Sequence, residues 1–147
     1  MQIQDYFHEA FQVSGYNFTI QKSEMTSQIQ EIWAKFRTSD LLSKIENVEN
    51  GSLHAVYHNY NSESFDMLIG LLTKKDSIQS SSEITTLQIP DQKYKFVELD
   101  FIGPDSVAEA WNEINSKSQE EIDRNYKYDL EMYSLDMKKC WIAVSVK

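Results

Sequence analysis

The chain has 147 residues, 41% hydrophobic and 12% aromatic, with only 4 glycines and 2 prolines; this suits one packed domain and excludes fibrous and disordered classes. A formal net charge of −9 argues against direct nucleic-acid binding, because phosphate repels such a surface. The single cysteine, Cys140, excludes an internal disulfide, and no run approaches the ~18 apolar residues of a membrane span.

The first ten residues, MQIQDYFHEA, lack the basic start and apolar run of a signal peptide, which points to the cytoplasm. They either pair with a sheet or pack as a short helix. Phe11 to Ile20 alternates loosely through Val13, Tyr16 and Phe18 and reads as a strand, with Gly15 as a bulge or bend. Ser27 and Gln30 form a capping-box pair. Ile29, Ile32, Trp33 and Phe36 follow at the spacing of one helical face, predicting an amphipathic helix to about Ile45. Asn50-Gly51 reads as a turn. Leu53–Tyr60 and Phe65–Leu72 then read as a hairpin.

Lys74 to Glu83 is polar and serine-rich, a linker between two halves. Ile84–Ile89 and Tyr94–Phe101 are strand material interrupted at Pro90-Asp91, and Gly103-Pro104-Asp105 closes the segment. Ser106 and Glu109 make a second capping box. Val107, Ala110, Trp111 and Ile114 repeat the apolar quartet, and strands follow at Tyr128–Ser134 and Trp141–Val146. Trp33 and Trp111 occupy the same place in their quartets, and Tyr60 and Tyr133 end the strands that follow. The expectation is an α+β domain spanning 1–147. Its duplicated β-α-β-β modules, at about 11–73 and 84–147, form an antiparallel sheet with two helices on one face and a ligand cleft between the halves.

Ile32-Trp33-Ala34-Lys35-Phe36, Leu53 to Tyr60, Met67 to Gly70, Ile89-Pro90, Gly103-Pro104, Ala110-Trp111 and above all Arg124 to Tyr133 resemble, in order and spacing, the GyrI-like effector-binding family of AraC-type regulators. The likeness runs from about Phe11 to Val146. The last stretch is similar to the family's Asp-Phe-Glu-x-Tyr strand, with Leu130 in place of phenylalanine. The resemblance implies a pocket between the two modules that takes lipophilic, often cationic compounds. It also implies possible partners, a regulator or gyrase, and a hydrolase subset acting on cyclopropane-bearing compounds. Only about ten residues precede the first strand, too few for the helix-turn-helix of a fused regulator.

Strand alternation alone leaves Glu131 open between a pocket and a solvated face; the resemblance places it in the pocket. A lone buried carboxylate is costly and its pKa rises, until a cation arrives to relieve it. Aromatic faces add about 0.5–2 kcal/mol each to a desolvated cation. Trp111 is the better tryptophan for the cleft and Trp33 the second. Of the tyrosines, Tyr133 shares a strand face with Glu131. Tyr57 and Tyr60, three apart on one strand, point to opposite faces, so one at most faces the cleft. No cofactor is expected, and no metal: His54 and His58 on a strand lie ~13 Å apart. The leading function is binding without catalysis. Its rivals are hydrolysis through Glu131 and a tyrosine hydroxyl, and a gyrase-inhibitor-like protein interaction.

Overall fold

The computed structural model describes residues 2–103 and 105–147, so Pro104 of the Gly103-Pro104-Asp105 break lies outside the described residues. The elements follow as β1 (Gln4–His8), β2 (Phe11–Gln21), α1 (Met25–Arg37), β3 (Val48–His58), β4 (Ser64–Thr73), β5 (Thr85–Ile89), β6 (Gln92–Leu99), α2 (Ser106–Ser116), β7 (Asp129–Tyr133) and β8 (Cys140–Ser145). The strands form one antiparallel sheet in the order β1-β6-β8-β7-β3-β4-β2-β5. Strands β3, β4 and β2 with α1 repeat as β7, β8 and β6 with α2, so the duplicated β-α-β-β unit is present. The two halves meet where β3 pairs with β7.

The leading strands are exchanged between halves. β1 pairs with β6, and β5 pairs with β2. The register that runs from Gln4 opposite Phe96 to His8 opposite Gln92 resumes in phase at Phe11 opposite Ile89 and ends at Gly15 opposite Thr85. The two ends of the strand order are therefore joined by continuous chain, and the sheet curls upon itself. Gln4–His8 thus supplies a strand, one of the two roles left open for the first ten residues.

Both helices lie on one face. The α1 quartet Ile29, Ile32, Trp33 and Phe36 packs on Ile20, Ala55, Tyr57, Met67 and Ile69. The α2 quartet packs on Val97, Tyr133, Ile142 and Val144. Trp33 and Trp111 each touch both clusters, which places them over the seam. The opposite face, inside the curl, holds Val13, Val56, Leu68, Ile89, Tyr94, Leu130 and Ala143.

Several local expectations are corrected. α1 stops at Arg37, not near Ile45. Thr38, Ser39 and Asp40 favour side-chain-to-backbone bonds over helix, and Thr38 Oγ1 donates to the Ala34 carbonyl. Leu41–Lys44 then forms a 3-10 turn that folds Leu41 and Leu42 onto Tyr16, Phe36 and Ile45. Neither capping box forms: Ser27 lies inside α1 and donates to the Glu24 carbonyl, and Ser106 bonds Gly103. Asn50-Gly51 is a bulge within β3 rather than a turn, because five residue steps of β3, Val48 to Leu53, face two of β4. Gly15 makes no bulge. It faces Gly70 in unbroken register, and a Cβ on either glycine would lie 2.1 Å from the facing backbone oxygen. Residues 74–83, the expected linker, are bonded to the first half. Gln12 is bonded to the Asp76 amide and to Ser77, and Gln79 bridges both backbone groups of Glu46.

Candidate functional site

β7 carries Asp129, Glu131 and Tyr133 on the helix-covered face, because they alternate with Leu130 and Met132 of the other face. Glu131 stands between Ala55 of β3 and Ile142 of β8. The small Ala55 leaves room above itself, and aromatic side chains fill it. Glu131 is 2% exposed. Its Oε2 accepts from the Tyr57 hydroxyl at 2.6 Å and from Trp111 Nε1 at 2.7 Å, and its Oε1 accepts from the Tyr133 hydroxyl.

These four residues come from β3, α2 and β7, so no short motif contains them. Tyr57 and Trp111 meet edge to face with ring centroids 5.4 Å apart, and Trp33 of α1 meets Tyr133 likewise at 5.8 Å. Five of the six expected site residues therefore converge: Glu131, Trp111, Tyr133, Tyr57 and Trp33. Trp33 meets the ring of Tyr133, whose hydroxyl donates to the acid.

Tyr60 is the exception, and the reason corrects the expectation. β3 ends at His58, and Asn59 adopts φ 51°, a left-handed conformation that asparagine tolerates. The chain turns there, so Tyr60 folds back to the same face as Tyr57, and both rings lie against Phe65. The rule of opposite faces does not extend past the end of a strand. The Tyr60 hydroxyl donates to Asp129 Oδ2 at 2.6 Å, not to Glu131.

Asp129 is the buried acid that sequence reasoning passed over. It is fully buried, ion-paired with Arg124 Nη2 at 2.7 Å, and accepts from the Ser145 amide and hydroxyl at 2.8 and 3.1 Å. The signal was the two acids at alternate positions of β7. The partner Arg124 lies outside any strand run and is held by Asn115 of α2.

Electrostatics separates the two acids. Burial raises the Glu131 pKa above the usual carboxylate range, with the bonds from Tyr133, Tyr57 and Trp111 opposing it. Burial also raises Tyr57 and Tyr133, and the Glu131 charge raises both further, so their hydroxyls stay protonated donors. Glu131 is thus an acid held by neutral donors alone.

The seam is closed over Glu131 by these rings. Two hollows lie elsewhere: about 350 Å3 at the start of α1, along Lys22 to Gln30, and about 520 Å3 beside β1 and β6, between Tyr6 and Lys95. Neither is lined by Glu131 or its partners. Among the described residues no three His, Cys, Asp or Glu side chains gather to hold a metal, and no helix is long and apolar enough to cross a membrane.

Two half-sheets, each carrying one helix, join at a seam where aromatic rings enclose an acid, on a fold of the GyrI-like kind. The family described as integron-associated effector binding protein matches residues 8–145, and the chain belongs to it. An integron cassette protein from the mobile metagenome of Vibrio cholerae has the same fold at 22% identity, with TM-score 0.77 over 99% of this chain and 95% of that one. SAV2435, in a structure with tetraphenylphosphonium bound, superposes with TM-score 0.79 at 14% identity over 100% of this chain and 94% of that one. The C-terminal domain of EcmrR gives TM-score 0.61 at 12% identity over 99% and 97%. Comparison with curated proteins returned no match.

Proposed function

We propose that this protein binds bulky lipophilic cations at the seam between its halves, with Glu131 as the charge that attracts them. One observation carries the reading: Glu131 is 2% exposed, and its three hydrogen-bond partners, Tyr57, Trp111 and Tyr133, are all neutral donors. A buried carboxylate without a cation is held at a cost of several kcal/mol, and a cation placed against it recovers part of that cost. The carboxylate's acceptor sites are largely filled by the three donors, so the ligand contributes charge and apolar area rather than N–H groups. The rings of Trp33, Trp111, Tyr57 and Tyr133 supply cation–π faces. Because the seam is closed, entry requires Trp33 and Trp111, both half-buried, to turn aside. The tetraphenylphosphonium bound to SAV2435 is a ligand of this chemistry and supports the same reading here.

The test is titration with tetraphenylphosphonium, followed by calorimetry and by thermal stability. Stabilisation is expected to grow with ligand concentration, reaching about 2.7 kcal/mol at a hundredfold excess over Kd. Glu131→Gln keeps the shape and removes the charge, and affinity is expected to fall at least tenfold. Equal affinity of parent and variant, or no binding to either, refutes the proposal.

A second reading rests on the same carboxyl. An acid of raised pKa between two tyrosine hydroxyls is equipped for general acid–base hydrolysis of an electrophile. It predicts product formation that disappears in Glu131→Gln.

A further inference from the structure

The fold holds two buried carboxylates among the described residues, Asp129 and Glu131, and it treats them differently. They sit two residues apart on β7, roughly 6–7 Å along the strand, with Tyr57 touching the surroundings of both: it is the cross-strand neighbour of Asp129 and the donor to Glu131. Asp129 is matched by Arg124, itself 8% exposed, through the 2.7 Å ion pair. That guanidinium is fixed on its other side by Asn115 Oδ1 at 2.7 Å, and its Cζ lies over the Tyr126 ring, 4.4 Å from the centroid. Glu131 has no such partner.

We propose that Arg124 is a specificity-determining residue that sets the charge of the seam at one. By neutralising Asp129 it leaves Glu131 as the one buried carboxylate without a cationic partner among the described residues, and it fits the site to a monocation. This rests on the reading of Glu131 as the cation site. Without Arg124, two carboxylates lie within reach of one ligand and the site favours a dication. Without Asp129, the guanidinium charge stands beside Glu131 and repels any cation. At an effective dielectric of about 20, a charge ~7 Å away alters affinity by tenfold or more.

The two single substitutions therefore act with opposite signs, which a merely structural ion pair does not do. In Asp129→Asn, affinity for tetraphenylphosphonium is expected to fall at least tenfold. In Arg124→Met it is expected to rise, and affinity for a bis-quaternary ammonium of matched apolar area rises more. The double variant Arg124→Met/Asp129→Asn restores a neutral pair and returns to within about threefold of the parent. Each protein is checked for a cooperative melt first, since a buried charge left unpaired can unfold the chain. If Arg124→Met does not fold, Asp129→Asn is compared with the double variant. The proposal is overturned if those two bind alike, or if both single variants shift affinity in the same direction or not at all. Failure of the parent to bind tetraphenylphosphonium would sink the Glu131 reading instead, so the two failures are distinct.

Discussion

At the scale of the residue, surroundings rather than residue type decide what each titratable group does. Glu131 and Asp129 have the same chemistry and the same strand face; one receives neutral donors and the other a guanidinium. His54 shows the same principle on the opposite face. It is 4% exposed, its Nδ1 bonds the Ser52 carbonyl, and its ring borders Phe11. Burial, with the nearby His8 adding to it, lowers its pKa to about 4, against the bond to Ser52. A folded pKa below the unfolded value of about 6.5 means that the unfolded chain takes up the proton first. The His54 contribution is therefore complete above about pH 6.5 and is lost as pH falls toward 4, by on the order of 3 kcal/mol. His58 is lowered by burial too, partly offset by Asp66, and adds in the same direction. Glu131 works in the reverse sense: its pKa is raised, so its contribution is complete at low pH and declines as pH rises through the folded value. Unfolding free energies in urea across pH 4–7 are expected to slope less in His54→Gln than in the parent.

At the scale of the element, close backbone approach matters more than propensity. Gly15 of β2 and Gly70 of β4 face each other across the ladder, with no space for a Cβ on either. The clashing atoms are backbone oxygens, which cannot swing away as a side-chain end can. Gly70→Ala is expected to cost about 2–4 kcal/mol, read as a lowered urea midpoint, even though alanine is tolerated in many strands. Spacing alone identified the helical faces, because the quartets of α1 and α2 are the residues found packed. Helix ends were not legible: the capping pairs Ser27/Gln30 and Ser106/Glu109 match the sequence pattern, but each serine lies inside its helix. The exchange of β1 and β5 was equally hidden, since in-phase ladders that resume across Glu9-Ala10 and Pro90-Asp91 depend on partners some eighty residues away.

At the scale of the whole molecule, the net charge of −9 surrounds a site proposed to take a cation. Long-range attraction acts on encounter and is screened by salt, while the enclosed acid is not. Stopped-flow binding of tetraphenylphosphonium is therefore expected to slow in association from low to physiological salt, with dissociation nearly unchanged. Composition, apolar periodicity and the repeated quartet by themselves determined the class, an acidic α+β domain of two β-α-β-β halves with Trp33 and Trp111 in matching places; Glu131 was singled out by the resemblance to the effector-binding family, and Tyr133 by sharing its strand face. The class was legible because periodicity is a local property, carried by neighbours on one helix or strand. Only the tertiary structure decided that Tyr57 reaches Glu131, that Asn59 turns Tyr60 toward Asp129, and that Arg124 neutralises one acid and spares the other. Those outcomes depend on the β3–β7 pairing and on chain that returns from α2, and distances across a seam leave no period in the sequence.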